Sequence, residues 1–524
     1  DLSPIGKVEQ ILGKPGEHTT EIDSILSKNS IEIKFSKEVN EFTKNISEKI
    51  SETEIGNRRD FRNTLTFTID PTDAKDFDDA LSYKKLENNN LEVGIHIADV
   101  SHYVVPGTIL DKEAYNRATS IYLVDRVIPM LPEKLSNKIC SLRPNEEKLT
   151  FSAVFTFNEK GQIIESWFGR TIIESDYRFS YKEAQEIIEK KSNKIPKEIS
   201  LNNREYTVDK NIVDAILTLD KIAKQKRKER EKKGSINFNK KEVSFKLNEE
   251  NDPVEIIFKE SKDANKLIEE FMLIANKKVA ELFTDIKKQK YIYRVHDVPD
   301  IEKLKNLKHI VKGFGYALDI SSSKGISKSL NKLLEEVKGK KEQNLIESLT
   351  LRSMSKAEYS TNNIGHYGLA FINYTHFTSP IRRYPDVLVH RLLQDVLNKQ
   401  YGRNDKNLQK KSIYCSEQEN TAVKAERESI KYMQIKYMQD KIGNEYHGTI
   451  TGVSDWGIYV EIEENKCEGM VYIRDIKEDK YFYNINEQSL IGKNTKKKYQ
   501  LGDPLKIEVK KADLIKKHLD FTII

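Results

Sequence analysis

Cysteine is nearly missing from this 524-residue chain: Cys140, Cys415 and Cys467 are the only three, far apart, with no CxxC pair. That excludes a disulfide framework and a zinc ribbon, and it suits a reducing cytoplasm. Long apolar runs are also absent, and nothing approaches the roughly eighteen residues a spanning helix needs. Charged residues make up 32 % and the mean hydropathy is −0.64, so no membrane partner is expected. No HExxH spacing occurs, and His96, His102, His296 and His390 are assigned no catalytic role. The chain opens on Asp1 rather than an initiator methionine, so the lack of a signal peptide excludes little. Charge of one sign is not dominant either. A formal +6 and a pI near 8.7 permit a polyanionic partner without demanding one.

What is present is length enough for several domains. "SPIGKVEQILGKPGEHTTEIDSIL" starts strand-like and turns helical, a lead-in too short to close a domain alone. From about Asp60 to Phe157, "LTFTID", "LEVGIHIADV" and "LTFSAVFTF" have strand character. Between Tyr177 and Lys233 the pattern becomes helical and charged. There "DKIAKQKRKEREKKG" is either a solvated helix face or a nucleic-acid track, ended by Gly234. In "ANKLIEEFMLIANKKVAELF", Leu267, Phe271, Ala275, Val279 and Phe283 recur every four residues as a core stripe, flanked by Ile268, Met272 and Leu282. A helical block runs from about Ser412 to Lys441, and short strands with glycine turns follow from Asn444. No internal repeat stands out.

The densest chemistry is "DPTDAKDFDD", Asp70 to Asp79, with five aspartates just after a strand. Crowded carboxylates repel, so a folded chain must neutralise some of them with a proton, a lysine or a metal. Hard carboxylate oxygens suit Mg²⁺, and two ions about 3.5–4 Å apart clamp a phosphoryl group. The glycine and terminal glutamate of a calcium-binding EF-hand are missing. On these residues alone, a metal site and a polar turn remain open.

The surroundings are more specific. "TIDPTDAKDFDDAL", "GIHIADVSHYV", "IPMLPEKLSNKICSLRPNEEKLTFS", "YRVHD" and "HFTSPIRRYPDVLVHRLL" occur in that order. Together they resemble the RNB exoribonucleases, the ribonuclease II/ribonuclease R family. "DAKDFDDA" and "TSPIRRYPD" lie nearer to the bacterial ribonuclease R branch. The likeness is close from Arg58 to Leu393 and looser beyond. It implies that Asp70, Asp76, Asp78 and Asp79 hold magnesium, as a two-ion site in which Mn²⁺ can substitute, while Asp73 serves the turn. Arg382 matches the family's catalytic arginine, with Arg383 in reserve. Independently of the family, Ser379 and Pro380 suit the N-cap and N1 positions of a helix that Tyr384-Pro385 interrupts, which puts both arginines on a short first turn. An arginine there stabilises charge developing on phosphorus, worth a few kcal/mol.

An exonuclease grips a chain end without reading it, and aromatic faces do this at about 1–3 kcal/mol per stacked base. By resemblance Tyr122 in "TSIYLVDRVIPMLP" and Phe238 in "GSINFNKKE" clamp the terminal base, and Tyr181 in "RFSYKEA" affects where digestion stops. Glu269 and Glu426 match acidic positions associated with RNA handling. The C-terminal "GNEYHGTITGVSDWGIYVEIEENKCEGMVYIRDI" resembles the S-one type of OB fold. Trp456, Tyr459 and Tyr472 are its stacking candidates, and Lys510 and Lys511 its backbone contacts.

The expectation is an α+β chain. Residues 1–57 are a lead-in, a cold-shock remnant plus linker, without complete cold-shock domains. Residues 58–395 form the RNB domain, with a mixed sheet and helices around an RNA channel. Residues 396–442 form a helical connection closing it, and 443–524 an OB-fold RNA-binding barrel. The implied activity is magnesium-dependent, hydrolytic, processive 3′-to-5′ degradation of single-stranded RNA to nucleoside 5′-monophosphates, in a cytoplasmic monomer with no obligate protein partner; structured RNA with a 3′ overhang is a further substrate. Asp78 is the aspartate most sensitive to loss. The alternative is an RNA-binding protein that kept the fold and lost the chemistry.

Overall fold

The strand-like segments of the first half pair into one seven-stranded sheet in the computed structural model, which describes residues 7–8, 10–238, 242–286, 290–340, 342–401, 406–485 and 487–524. The first nine strands used here are β1 (Arg59–Asp60), β2 (Thr66–Asp70), β3 (Asp79–Lys85), β4 (Leu91–Ala98), β5 (Ile121–Tyr122), β6 (Val127–Ile128), β7 (Glu147–Phe157), β8 (Ile163–Glu174) and β9 (Tyr177–Ser180). The sheet runs β1-β8-β7-β4-β3-β2-β9, and β5 and β6 make a separate hairpin. The outer pairs β1/β8 and β2/β9 are parallel and the others antiparallel. Phe67, Ile69, Val93, Ile95, Ile97, Phe151, Phe155 and Phe157 are buried along it. Burying each such side chain stabilises the fold by about 1.5–3 kcal/mol.

A polar seam crosses this core. The ring nitrogens of His96 bond the hydroxyls of Ser152 at 2.7 Å and Ser82 at 2.8 Å. Burial pushes the imidazole down to about 3, so it stays neutral, with one nitrogen donating and the other accepting. A Cβ on Gly94 would come within 2.4 Å of both His96 and Ser82, so glycine is needed beside the ring. His96 is therefore structural.

Five helices frame the sheet and its site: α1 (His18–Lys28), α2 (Lys210–Lys232), α3 (Asp263–Asp285), α4 (Tyr384–Leu397) and α5 (Leu408–Met438). The expected stripe of α3 is buried throughout, and Phe271 meets Phe157 edge-on at 6.3 Å. The basic run forms the end of α2. Lys224 and Arg227 face Asp263 of α3, and Arg230 pairs with Glu270. Those cations are neutralised within the fold, and the track reading loses them. Helices Ile301–Gly313, Ser323–Glu336 and Gln343–Ser353 enclose a second core around Leu304, Leu330 and Ile346.

The C-terminal strands Glu445–Ser454, Gly457–Ile462, Glu468–Tyr472, Pro504–Asp513 and His518–Ile523 close into a barrel, with a three-stranded sheet inserted before the fourth. Ile450, Ile458, Val460, Ile507, Val509 and Phe521 fill it, joined by Ile435 and Met438 from the end of α5. The α+β architecture read from the sequence is the one observed. The strand-like opening of the lead-in falls mostly on residues outside the described set, and its later part is α1. The three cysteines are free and buried. Among the described residues no helix is long and apolar enough to cross a membrane.

Candidate active site

Sheet geometry explains why the aspartates meet. Asp70 is the last residue of β2 and Asp79 the first of β3, and these neighbours run antiparallel, with Phe67 opposite Leu81. Both residues therefore lie at one end of the sheet. β9 runs parallel to β2 with Ser180 opposite Asp70, so Tyr181 emerges at the same end. Ser180 and Glu183 form a capping box that starts the helix there. The loop between β2 and β3 is braced from outside. Arg178 donates to the carbonyls of Thr72 at 2.9 Å and Ala74 at 3.2 Å. Ser141 donates to the Lys75 carbonyl at 2.7 Å and accepts from the Phe77 amide at 3.0 Å. Asp73 points to solvent, as a turn residue should.

The carboxyls are held apart from water but not uniformly satisfied. Asp78 is buried. Its Oδ1 accepts from the Ile381 amide at 2.9 Å, and its Oδ2 lies 3.4 Å from Nε of Arg382. Asp76 Oδ2 accepts from the Tyr122 hydroxyl at 3.3 Å. Asp70 Oδ2 is buried with no hydrogen-bond partner. Burial, and then the charge of Asp79, push the Asp70 carboxyl well above the carboxylate range. Burial pushes Asp78 the same way against the pull of Arg382, and raises Asp79 to about 7. Such a group keeps its proton unless a cation replaces it. Hard oxygens with an orphaned buried atom among them fit a magnesium ion. Among the described residues no three side chains of His, Cys, Asp or Glu converge as a ready-made cage. Asp76 and Asp78 are instead engaged by Tyr122, Ile381 and Arg382.

Arg382 and Tyr122 reach the aspartates through one joint. The Arg382 carbonyl accepts from the Ser120 amide at 2.9 Å and from the Thr119 hydroxyl at 3.2 Å, so the arginine loop and the strand leading to Tyr122 are fastened together. The local conformation differs from the expected one. Pro380–Arg382 form a turn, Arg383 is the N-cap, and Tyr384-Pro385 open α4 rather than interrupt a helix. Proline fits there because the first-turn amides lack intrahelical partners anyway. Arg382 thus sits on a turn rather than on a helical first turn. Arg383 turns away: it donates to Asp386 at 2.8 Å, and the same Asp386 oxygen accepts from the Ser379 amide at 2.9 Å. Asp386 was not singled out from sequence, where it reads as ordinary first-turn acid. Nor was the fully buried Asp99, held well below the usual range by Arg170 and Arg58 despite burial that opposes ionisation.

The other candidates divide. Tyr122 is 39 % exposed, an open ring face beside the carboxylates. Tyr181 lies within electrostatic reach of Asp79, Asp70 and Glu269. Phe238 is half-buried and packs on the second core. Glu426 lies on α5, where partial burial of its carboxyl, and then nearby Glu242, raise it. On the barrel Trp456 is 69 % and Tyr459 38 % exposed, and the Arg474 guanidinium covers the Tyr472 ring at 4.7 Å. Lys510 and Lys511 pair with Asp475 and Asp513.

A family model described as the RNB domain matches residues 58–399, and one described as the S1 RNA binding domain matches 439–524. This chain belongs to the RNB family. Within it the chain is 38 % identical to "Ribonuclease R 1" of Lactococcus lactis, covering 98 % of this chain and 62 % of that protein. It is 38 % identical to "Ribonuclease R" of Aquifex aeolicus, over 99 % of this chain and 72 % of that one. The RNB chain also superposes on the Mycoplasma genitalium RNase R solved with ribose-methylated single-stranded RNA. The TM-score is 0.90 at 29 % identity, covering 98 % of this chain and 79 % of that one.

Proposed function

We propose that this RNB chain is a hydrolytic 3′-to-5′ exoribonuclease that degrades single-stranded RNA processively to nucleoside 5′-monophosphates and depends on magnesium. The observation that carries the reading is the cluster of Asp70, Asp76, Asp78 and Asp79 at one sheet end with Arg382 against Asp78. Asp70, Asp76, Asp78 and Asp79 would hold the ions, Asp76 leaving the Tyr122 hydroxyl to do so. Magnesium there would supply Lewis acidity and lower the pKa of water, so no protein nucleophile would be required.

The chain's own residues do the rest. Arg382, 41 % exposed in its side chain, is placed to meet charge building on the scissile phosphate. Tyr122 offers its face to the terminal base, and Tyr181 lies within reach of Asp70 and Asp79. Trp456 and Tyr459 stack on bases farther upstream, where the barrel first meets the strand. Contacts to the 2′-hydroxyl favour RNA over DNA. The domain lines 58–395, 396–442 and 443–524, a monomeric state and cytoplasmic location belong to the same reading. An inactive RNA-binding descendant is disfavoured because four carboxylates and the arginine are all retained. Labelled single-stranded RNA incubated with Mg²⁺ or with EDTA tests the proposal. Mononucleotide release that the chelator abolishes is expected; binding without release overturns it.

A further inference from the structure

Tyr122 is held from behind by a part of the chain that lies outside the matched RNB region. Its hairpin, β5 and β6 with the turn Leu123–Arg126, shares one apolar cluster with α1 and α5. Ile22, Ile25 and Leu26 of α1 are fully buried against Ala425, Tyr432 and Met433 of α5 and Ile121, Leu123 and Ile128 of the hairpin. From α5 the buried Ser429 hydroxyl accepts from the Val124 amide at 3.0 Å. From α1, His18 Nε2 meets Asp125 Oδ2 at 2.9 Å, with side-chain exposures of 7 % and 2 %. Asp23 of α1 reaches Arg126 at 3.4 Å, while Arg126 also grips Asp125. Residues just after α1 continue the embrace: Arg117, ahead of the hairpin, donates to the carbonyls of Glu32 and Lys34 and lies over the Phe35 ring at 3.9 Å.

A buried polar pair contributes little net stability compared with an apolar contact of the same shape, yet removing one partner is costly. Its physical effect is to fix one arrangement. Asp125 is three residues from Tyr122, on a two-strand hairpin whose ladder pairs only Ile121 with Ile128 and Tyr122 with Val127. Two ladder pairs do not hold a ring in one orientation unaided, since an isolated hairpin is marginal in water.

We infer that His18 is a positioning residue: through Asp125 it sets the hairpin that presents Tyr122 to the terminal base. The inference rests on the exoribonuclease reading for its kinetic consequence, and on geometry alone for the hairpin tie. The role of His18 is indirect, since it touches neither the carboxylates nor the base position.

A double-mutant cycle on the full chain separates this role from general destabilisation. His18→Ala is expected to raise KM for short oligoribonucleotides about tenfold with kcat less affected, and to add nothing in a Tyr122→Ala background. His18→Gln, which can still donate to Asp125, is expected to restore most of the loss. Equal KM effects in both backgrounds would overturn the inference. Hydrogen exchange gives a readout that needs no turnover: the Leu123 and Val124 amides should exchange faster in His18→Ala while those of β4 and β7 stay protected. Unchanged exchange at the hairpin overturns the tie. If the unmodified chain releases no mononucleotide, the exoribonuclease reading falls, and the exchange result still decides whether His18 holds the hairpin.

Discussion

Stripping divalent cations and raising the pH is expected to destabilise the chain, and replacing Asp79 by asparagine is expected to relieve it. The Asp79 carboxyl moves from its ordinary 3.8 to about 7 on folding, mainly by burial, against the pull of Arg382. Below pH 4 both folded and unfolded chains hold that proton. Between pH 4 and 7 the unfolded chain releases it while the folded chain keeps it, so stability falls as pH rises through that window. At about 1.4 kcal/mol per pH unit the loss from this one group approaches about 4 kcal/mol by pH 7. Asp70 and Asp78 shift in the same direction, so the loss is cumulative although shared among coupled groups. The assay is urea or thermal unfolding at pH 5 and pH 8, in EDTA and in millimolar Mg²⁺. The parent should lose stability at pH 8 in EDTA and regain it with Mg²⁺, because a ligand bound only by the folded state stabilises it. Asp79→Asn should be more stable than the parent at pH 8 in EDTA and gain less from Mg²⁺. A parent equally stable at both pH values in EDTA, or a variant no better than the parent there, would refute the reasoning.

Three further outcomes are expected. Asp78→Asn should abolish hydrolysis while RNA affinity stays within about twofold; turnover retained by purified variant would contradict the assignment of Asp78. Arg382→Ala should lower turnover by about 10²–10³-fold with a smaller fall in Tm than Arg383→Ala, which strands the fully buried Asp386; kinetics and melting curves on the same preparations distinguish them. Tyr122→Ala should weaken binding of short oligoribonucleotides about five- to hundredfold, the loss of one stacked base, as measured by fluorescence anisotropy in EDTA.

Local periodicity was enough for the strands ending at Asp70 and Phe157 and for α3, because each buries a face set by its own residues. The aspartate cluster was legible for the same reason: its members are close in sequence, and two antiparallel strand ends bring them together. The start of α4 was misread because Ser379-Pro380 and Tyr384-Pro385 both carry helix-start signals. A long-range contact decides between them, the Tyr384 amide donating to the Ala118 carbonyl at 2.9 Å. Asp386, Asp99 and His18 were invisible for a related reason. Their partners lie on other elements or, for Asp386, include a neighbour that looks like a free arginine, and nothing in "PDVL", "IADV" or "GEHTT" marks a buried ionic group. Phe238 was read by resemblance, with less distinctive flanking residues than Tyr122, and in the structure its half-buried ring packs on the second core.

Diffraction from crystals soaked in Mn²⁺, with anomalous differences collected at the manganese edge, tests the central claim most directly. Peaks within coordinating distance of Asp70, Asp76, Asp78 and Asp79, with the Asp78 carboxylate drawn off Arg382, are predicted. Fully occupied crystals whose only peaks lie elsewhere, with the Asp70 oxygen still unpartnered, would contradict the account.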